Sequence, residues 1–174
     1  MLLEVERKIK SMPILTKQNL SILLDKKKDA VDYWVKKMLK SGVLIKLKNG
    51  VYASRYYVDL VSQNPEDKTK YLEYLANVLR SPSYVSLEYV LSKGNVTAEA
   101  VFKITSVTTK TARVYQTELG TFSYRQIKQE LFNGYQNILW RDKQIKEASL
   151  EKALADLQYL NKGADTSRYN NVNR

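Results

Sequence analysis

The chain has 174 residues, 44% of them hydrophobic, with 29 Lys/Arg against 18 Asp/Glu, a net charge of +11 and a pI near 9.6. It contains no cysteine and no histidine, which excludes disulfides, thiolate metal sites and cysteine nucleophiles and removes the commonest general base and metal ligand. The apolar content suffices for a core, no apolar run approaches the roughly 18 residues of a membrane helix, and the amino terminus MLLEVERKIK is charged rather than signal-like.

Leu2, Val5, Ile9 and Met12 share one helix face, and Pro13 ends that pattern. Thr16 is placed to cap a short helix carrying Leu20, Leu23 and Leu24, after which Asp25 to Lys28 reads as a turn or the next helix start. The third helix is the best defined. Val31, Trp34, Val35 and Met38 recur at i, i+3, i+4 and i+7, which assigns all four to the core, and Gly42 stands where a carboxy-terminal cap belongs. Leu44 to Lys48 and Val51 to Ala53 then read as two strands joined by Asn49-Gly50 in a tight two-residue turn. In that register Leu47 pairs with Tyr52 on the inner face, while Lys46 and Lys48 point outward. Val61 to Asp67, polar and proline-bearing, reads as a linker or a helix start.

Three helices and a hairpin in about 55 residues form the layout of a winged helix-turn-helix. Its third helix must bury one face and offer the other to the major groove. With the core stripe set as above, the opposite face carries Asp29, Tyr33, Lys36, Lys37 and Lys40. Lys26, Lys27 and Lys28 stand at the helix amino terminus, where their charges and the backbone amides meet phosphate together. Lys46 and Lys48 on the wing grip the backbone beside the groove. The candidate duplex-contacting set is therefore Lys26, Lys27, Lys28, Tyr33, Lys36, Lys37, Lys40, Lys46 and Lys48, with Tyr33 the base-edge candidate. Charge distribution agrees: residues 1–60 hold 13 basic against 6 acidic side chains, a net of +7, and residues 61–174 hold 16 against 12, a net of +4. Scattered solubility lysines remain the bland alternative for any single position.

The second half begins with a helix over Thr69 to Arg80, with Leu72, Leu75, Val78 and Leu79 inward. SPSYVSLEYVLSKG (Ser81 to Gly94) follows as a proline-started turn and a helix, and Thr97 caps a further helical turn, TAEAVFK. Ile104 to Lys110, Thr111 to Thr117 and Thr121 to Arg125 are Thr- and aromatic-rich strand material. Further strands are expected at Leu131 to Tyr135 and Ile138 to Arg141. A closing helix sets Leu150, Ala153, Leu154, Leu157 and Leu160 on one side, and the tail from Asn161 is expected to fray. The fold class is α+β: a winged helix-turn-helix at 1–60, a mixed α+β domain at 61–162 and a flexible tail at 163–174. Lys103, Lys110, Arg113 and Arg125 on or near the strands form a possible secondary basic surface, or ordinary outward positions on a half-exposed sheet.

The stretches SPSYVSLEYVLSKGNV, ITSVTTKTARVYQTELGTFSYRQIK, FNGY and SLEKALADLQYL resemble the AbiEi family of antitoxins, as does the Leu-Lys-Asn-Gly-Val-Tyr wing, over roughly residues 10–162. One departure is Ser149-Leu150-Glu151-Lys152-Ala153, where the family's last helix usually begins Pro-Glu-Lys-Ala. Many relatives continue beyond that helix, so the tail is expected to be short or cut. The resemblance implies an antitoxin of a type IV toxin–antitoxin module of phage defence. Its amino-terminal domain would bind inverted repeats in its own promoter and repress the operon. Its carboxy-terminal domain would counteract a nucleotidyltransferase-like toxin without forming a stable complex with it.

Other classes fare worse. No Gly-Ser is followed by paired aspartates, no Asp-x-Asp occurs, and the six glycines form no phosphate loop. The sequence reads as a non-enzyme without cofactor or metal. The 13 tyrosines could stack nucleotides, which keeps a winged-helix module for RNA or non-operator DNA, without an antitoxin role, as the alternative. A reducing cytoplasm is the simplest setting for a cysteine-free chain with no apolar span, and no membrane partner is expected.

Overall fold

A computed structural model describes residues 2–93 and 103–162. They form an α+β protein that divides into two compact units, Met1–Tyr71 and Leu72–Arg174. No helix among the described residues is long and apolar enough to cross a membrane.

In the first unit α1 (Leu2–Ser11) is followed by the short strand β1 (Leu15–Thr16) and helix α2 (Lys17–Leu24). Thr16 caps α2 as the sequence indicates. Its hydroxyl accepts the Asn19 amide, and the Asn19 side chain returns a bond to the Thr16 backbone. At the other end Asp25 takes the left-handed conformation at φ 49, so that the Asp25 and Lys26 amides reach Ile22 and Ser21. Helix α3 (Lys28–Lys40) ends in the same way: Gly42 at φ 75 lets its own amide reach Leu39 and the Val43 amide reach Met38.

Strands β2 (Leu44–Lys48) and β3 (Val51–Ser54) pair antiparallel, and β1 adds to β3, giving the order β1-β3-β2. The hairpin differs from the simple register. Lys46 faces Tyr52, Lys48 faces Val51, and Leu47 is the extra residue of a bulge, so Leu47 does not pair with Tyr52. Leu47 is buried all the same. The bulge lets the chain bury Leu47 while leaving Lys46 exposed and Lys48 half-buried. Helix α4 (Arg55–Val61), capped by Ser54, carries no clear sequence signal; its Tyr57 and Val61 are buried. The core gathers Ile9, Leu15, Leu20, Val31, Val35, Leu44 and Tyr52, each worth about 1.5–3 kcal/mol when fully buried.

Helix α5 runs from Pro65 to Leu79, so the polar stretch at 61–67 is a helix start rather than a linker, and the division between units falls inside α5. Pro65 occupies the first helical turn, where its missing amide costs nothing, and the Asn64 side chain accepts the Glu66 and Asp67 amides. Leu75 and Leu79 are buried, but Val78 is exposed, because Tyr71, Glu73 and Ala76 take the inward positions.

The second unit is built on a six-stranded mixed sheet. Its strands are β4 (Ser83–Val85), β5 (Lys103–Thr108), β6 (Arg113–Thr117), β7 (Gly120–Gln126), β8 (Tyr135–Trp140) and β9 (Lys143–Ala148), in the order β6-β7-β5-β4-β9-β8. The stretch read as turn and helix from Ser81 thus opens with a central strand, and α6 (Glu88–Lys93) follows it. The strand expected at Leu131 to Tyr135 is instead a short 3-10 turn, Gln129–Leu131, and a loop that carries Phe132 onto the Tyr84 ring at 5.1 Å. The strand expected at Ile138 to Arg141 belongs to the longer β8, and β9 goes beyond the expected strands. Of the expected turn at 97–103, Lys103 opens β5 and the rest lies outside the described residues, as do Gly94 and the tail at 163–174.

Helices cover both faces of this sheet. Ser83 and Tyr124 donate their hydroxyls to the Ala76 carbonyl of α5, while Tyr84 and Ser86 reach Asp156 of α7 (Leu150–Leu160). Asp156 is fully buried and also pairs with Lys152 at 2.7 Å; Lys152 in turn donates to the Leu131 carbonyl. Glu73, equally buried, accepts from Lys93 at 2.7 Å and from the Tyr89 hydroxyl, and Lys93 also meets Glu147. A buried charge without such partners would be expensive.

Candidate nucleic-acid interface

Helix α3 sorts its side chains as the sequence indicates, with one exception. Val31 and Val35 are buried and Met38 packs on the core, while Asp29, Tyr33, Lys36, Lys37 and Lys40 are exposed. Residues advance by about 100° around a helix, so Tyr33, Lys36 and Lys40 form one narrow stripe and Lys37 flanks it. Tyr33 is 62% exposed and meets the Trp34 ring edge-on at 5.9 Å. Trp34 is the exception. Rather than sitting in the core it is half-buried, lining a groove of about 420 Å³ with Val5, Ile9, Leu24, Met38 and Tyr56. The Lys37 ammonium lies 4.9 Å from the centre of the Trp34 ring, which holds that side chain on the helix surface.

Lys26 and Lys27 are exposed in the turn before α3. Lys27 is the cap residue but supplies no side-chain hydrogen bond, so the first amides of α3 are not capped by it. Lys28 opens the helix, and its side chain lies outside the described residues. Lys46 projects from the hairpin.

The ion pairs of this unit set the α1 lysines apart from those around α3, and Lys48, half-buried on the hairpin, has a contact of its own. On α1, Lys8 pairs with Glu4 at 3.1 Å and Lys10 with Glu6 at 2.8 Å. Among the described residues no acidic side chain pairs with Lys26, Lys27, Lys36, Lys37, Lys40 or Lys46. One lysine that sequence reasoning missed stands between the groups. Lys17, first residue of α2, pairs with Asp32 of α3 at 2.7 Å, and its backbone amide donates to the Gly50 carbonyl at the hairpin tip at 3.1 Å. The Asp32 carboxylate raises the Lys17 pKa, chiefly through its direct contact with the ammonium. Nothing local could reveal this residue, because its partners lie 15 and 33 residues further along the chain.

The secondary basic residues do not form one set. Lys103, Lys110 and Arg113 are exposed in the second unit. Arg125 is half-buried and engaged: its guanidinium donates to the Asn161 side chain at 2.7 Å and to the Leu160 carbonyl at 3.0 Å, tying β7 to the end of α7. Among the described residues no three acidic side chains gather into a group that could hold a metal ion. Comparison of the sequence with models of protein families and with curated proteins finds no match.

Proposed function

We propose that this protein binds duplex DNA through a winged helix-turn-helix, with α3 entering the major groove and the β2–β3 hairpin acting as the wing. One observation carries the reading. Among the described residues, Lys26, Lys27, Lys36, Lys37, Lys40 and Lys46, on α3, the turn before it and the hairpin, lack acidic partners, whereas both α1 lysines are paired. An unpaired lysine gains affinity by displacing counterions from phosphate; a paired one must first give up its carboxylate. The stripe of Tyr33, Lys36 and Lys40 faces away from the core, as a helix that reads a groove requires. Lys26 and Lys27 beside the uncapped helix start suit backbone phosphate.

The wider role follows from the sequence resemblance. In it the protein is a cytoplasmic antitoxin that represses its own promoter at inverted repeats and counteracts a nucleotidyltransferase-like toxin without a stable complex. Two experiments test these layers separately. Lys36→Glu with Lys37→Glu should weaken duplex binding about a hundredfold in a fluorescence-anisotropy titration while the melting temperature stays put, since both side chains are exposed. Unchanged affinity would remove α3 from the interface. The same variant, co-expressed with the cognate toxin, should still restore growth if neutralisation belongs to the second unit; loss of rescue would join the two activities in one surface.

A further inference from the structure

Lys17 touches three elements at once. It opens α2, its ammonium meets Asp32 on α3 at 2.7 Å, and its amide holds the Gly50 carbonyl at the hairpin tip. Its aliphatic stem lies against the same turn: a Cβ placed on Gly50 would stand 3.9 Å from the Lys17 Cγ. The bulge at Leu47 bends the ladder just before that tip, which the Lys48–Val51 pair then closes, and the Lys17 amide is a further hold on it from outside the hairpin. β1 adds two residues of pairing, Leu15 with Tyr52 and Thr16 with Val51, and these immediately precede Lys17.

We infer that Lys17, through its ion pair with Asp32, is a positioning residue that sets the hairpin tip against α3 and thereby determines discrimination between duplex sequences. This rests on the duplex-binding reading above and adds to it a residue that touches no DNA. The physical basis is geometric. Selective reading requires the α3 stripe and Lys46 to meet the duplex in one fixed spacing, because phosphate contacts set the register in which base edges are read. A half-exposed ion pair at the surface contributes little to global stability. A modest change in hairpin position is nonetheless enough to misplace contacts on the groove.

Asp32→Asn separates positioning from charge. It removes the pair yet raises the net charge by one, so a purely electrostatic role for this region predicts tighter binding to every duplex. Positioning predicts the opposite for selectivity. The experiment is a titration of wild type, Lys17→Met, Lys17→Arg and Asp32→Asn against the chain's own upstream duplex and a scrambled duplex, with melting temperatures alongside. The expected result is about a fivefold drop in the ratio of specific to scrambled affinity for Lys17→Met and for Asp32→Asn, with Lys17→Arg near wild type and all melting temperatures within a few degrees. An undiminished ratio in Asp32→Asn overturns the inference and leaves the duplex reading standing. A wild type that does not discriminate overturns both.

Discussion

Leu87 sits in the left-handed region at φ 64 although it is fully buried between β4 and α6. For a branched apolar residue that conformation costs roughly 1–2 kcal/mol, which glycine would relieve. Removing a buried leucine side chain costs about 2–5 kcal/mol, so the lost packing outweighs the relieved strain. Leu87→Gly should therefore lower stability by about 2 kcal/mol in urea denaturation despite its easier backbone; a gain would show that the strain dominates. Three tyrosines, Tyr84 and Tyr124 buried and Tyr89 half-buried, give a second prediction. Burial first, and the neighbouring Asp156, Glu73 and Tyr115 respectively, push the hydroxyls of Tyr84, Tyr89 and Tyr124 well above the ordinary tyrosine range. Above pH about 10 the unfolded chain loses these protons while the folded one keeps them, so stability present below that pH is lost as it rises. Each such tyrosine adds up to about 1.4 kcal/mol per pH unit to that slope, and the urea midpoint should fall steeply between pH about 9.5 and 11. A midpoint flat across that range would contradict the burial of these side chains.

At the scale of elements, what the sequence made legible was what local chemistry decides. The Thr16 cap, the Val31/Val35 stripe, the Gly42 terminus and the Asn49-Gly50 turn each declare themselves within a few residues. What stayed hidden is decided by distant partners. Strand β4 has three residues, Ser-Tyr-Val, and is a strand because β5 and β9 flank it from positions about 20 and 60 residues later. Strand β9, KQIKEA, carries two lysines and a glutamate and buries only Ile145 and Ala148, so its composition reads as surface. The bulge at Leu47 is invisible for the same reason: alternation sets faces, but tertiary packing chose to bury Leu47 beside Ile45 and Leu44. Trp34 satisfied the helical period and still lines a groove, since a period assigns a direction and not the depth of what lies there. Arg125 shows the limit for charge. Its strand position suggested a surface for a polyanion, yet the side chain closes β7 onto α7. Arg125→Met should cost about 1–3 kcal/mol of stability with duplex affinity unchanged; a matching loss of affinity would return it to the interface.

For the whole molecule the decisive feature is where charge is compensated. The carboxylates of α1 neutralise the lysines of α1, and in the second unit Glu73, Glu147 and Asp156 hold Lys93 and Lys152. Among the described residues, Lys26, Lys27, Lys36, Lys37, Lys40 and Lys46 of the first unit are left open, as are Lys103, Lys110, Arg113 and Lys128 of the second, and residues 1–60 carry +7 of the total +11. A polyanion approaching within a Debye length, about 10 Å at ordinary salt, meets uncompensated positive charge there. The sharpest test is a gel-shift titration of the full chain against its own upstream region, with scrambled duplex as competitor, at two salt concentrations. Competitor-resistant, stepwise shifts are expected, with an affinity that falls with salt by a slope of about 0.9 per phosphate contacted. Weak binding equal on both duplexes would refute sequence-selective duplex binding, leaving a basic surface with no sequence to read.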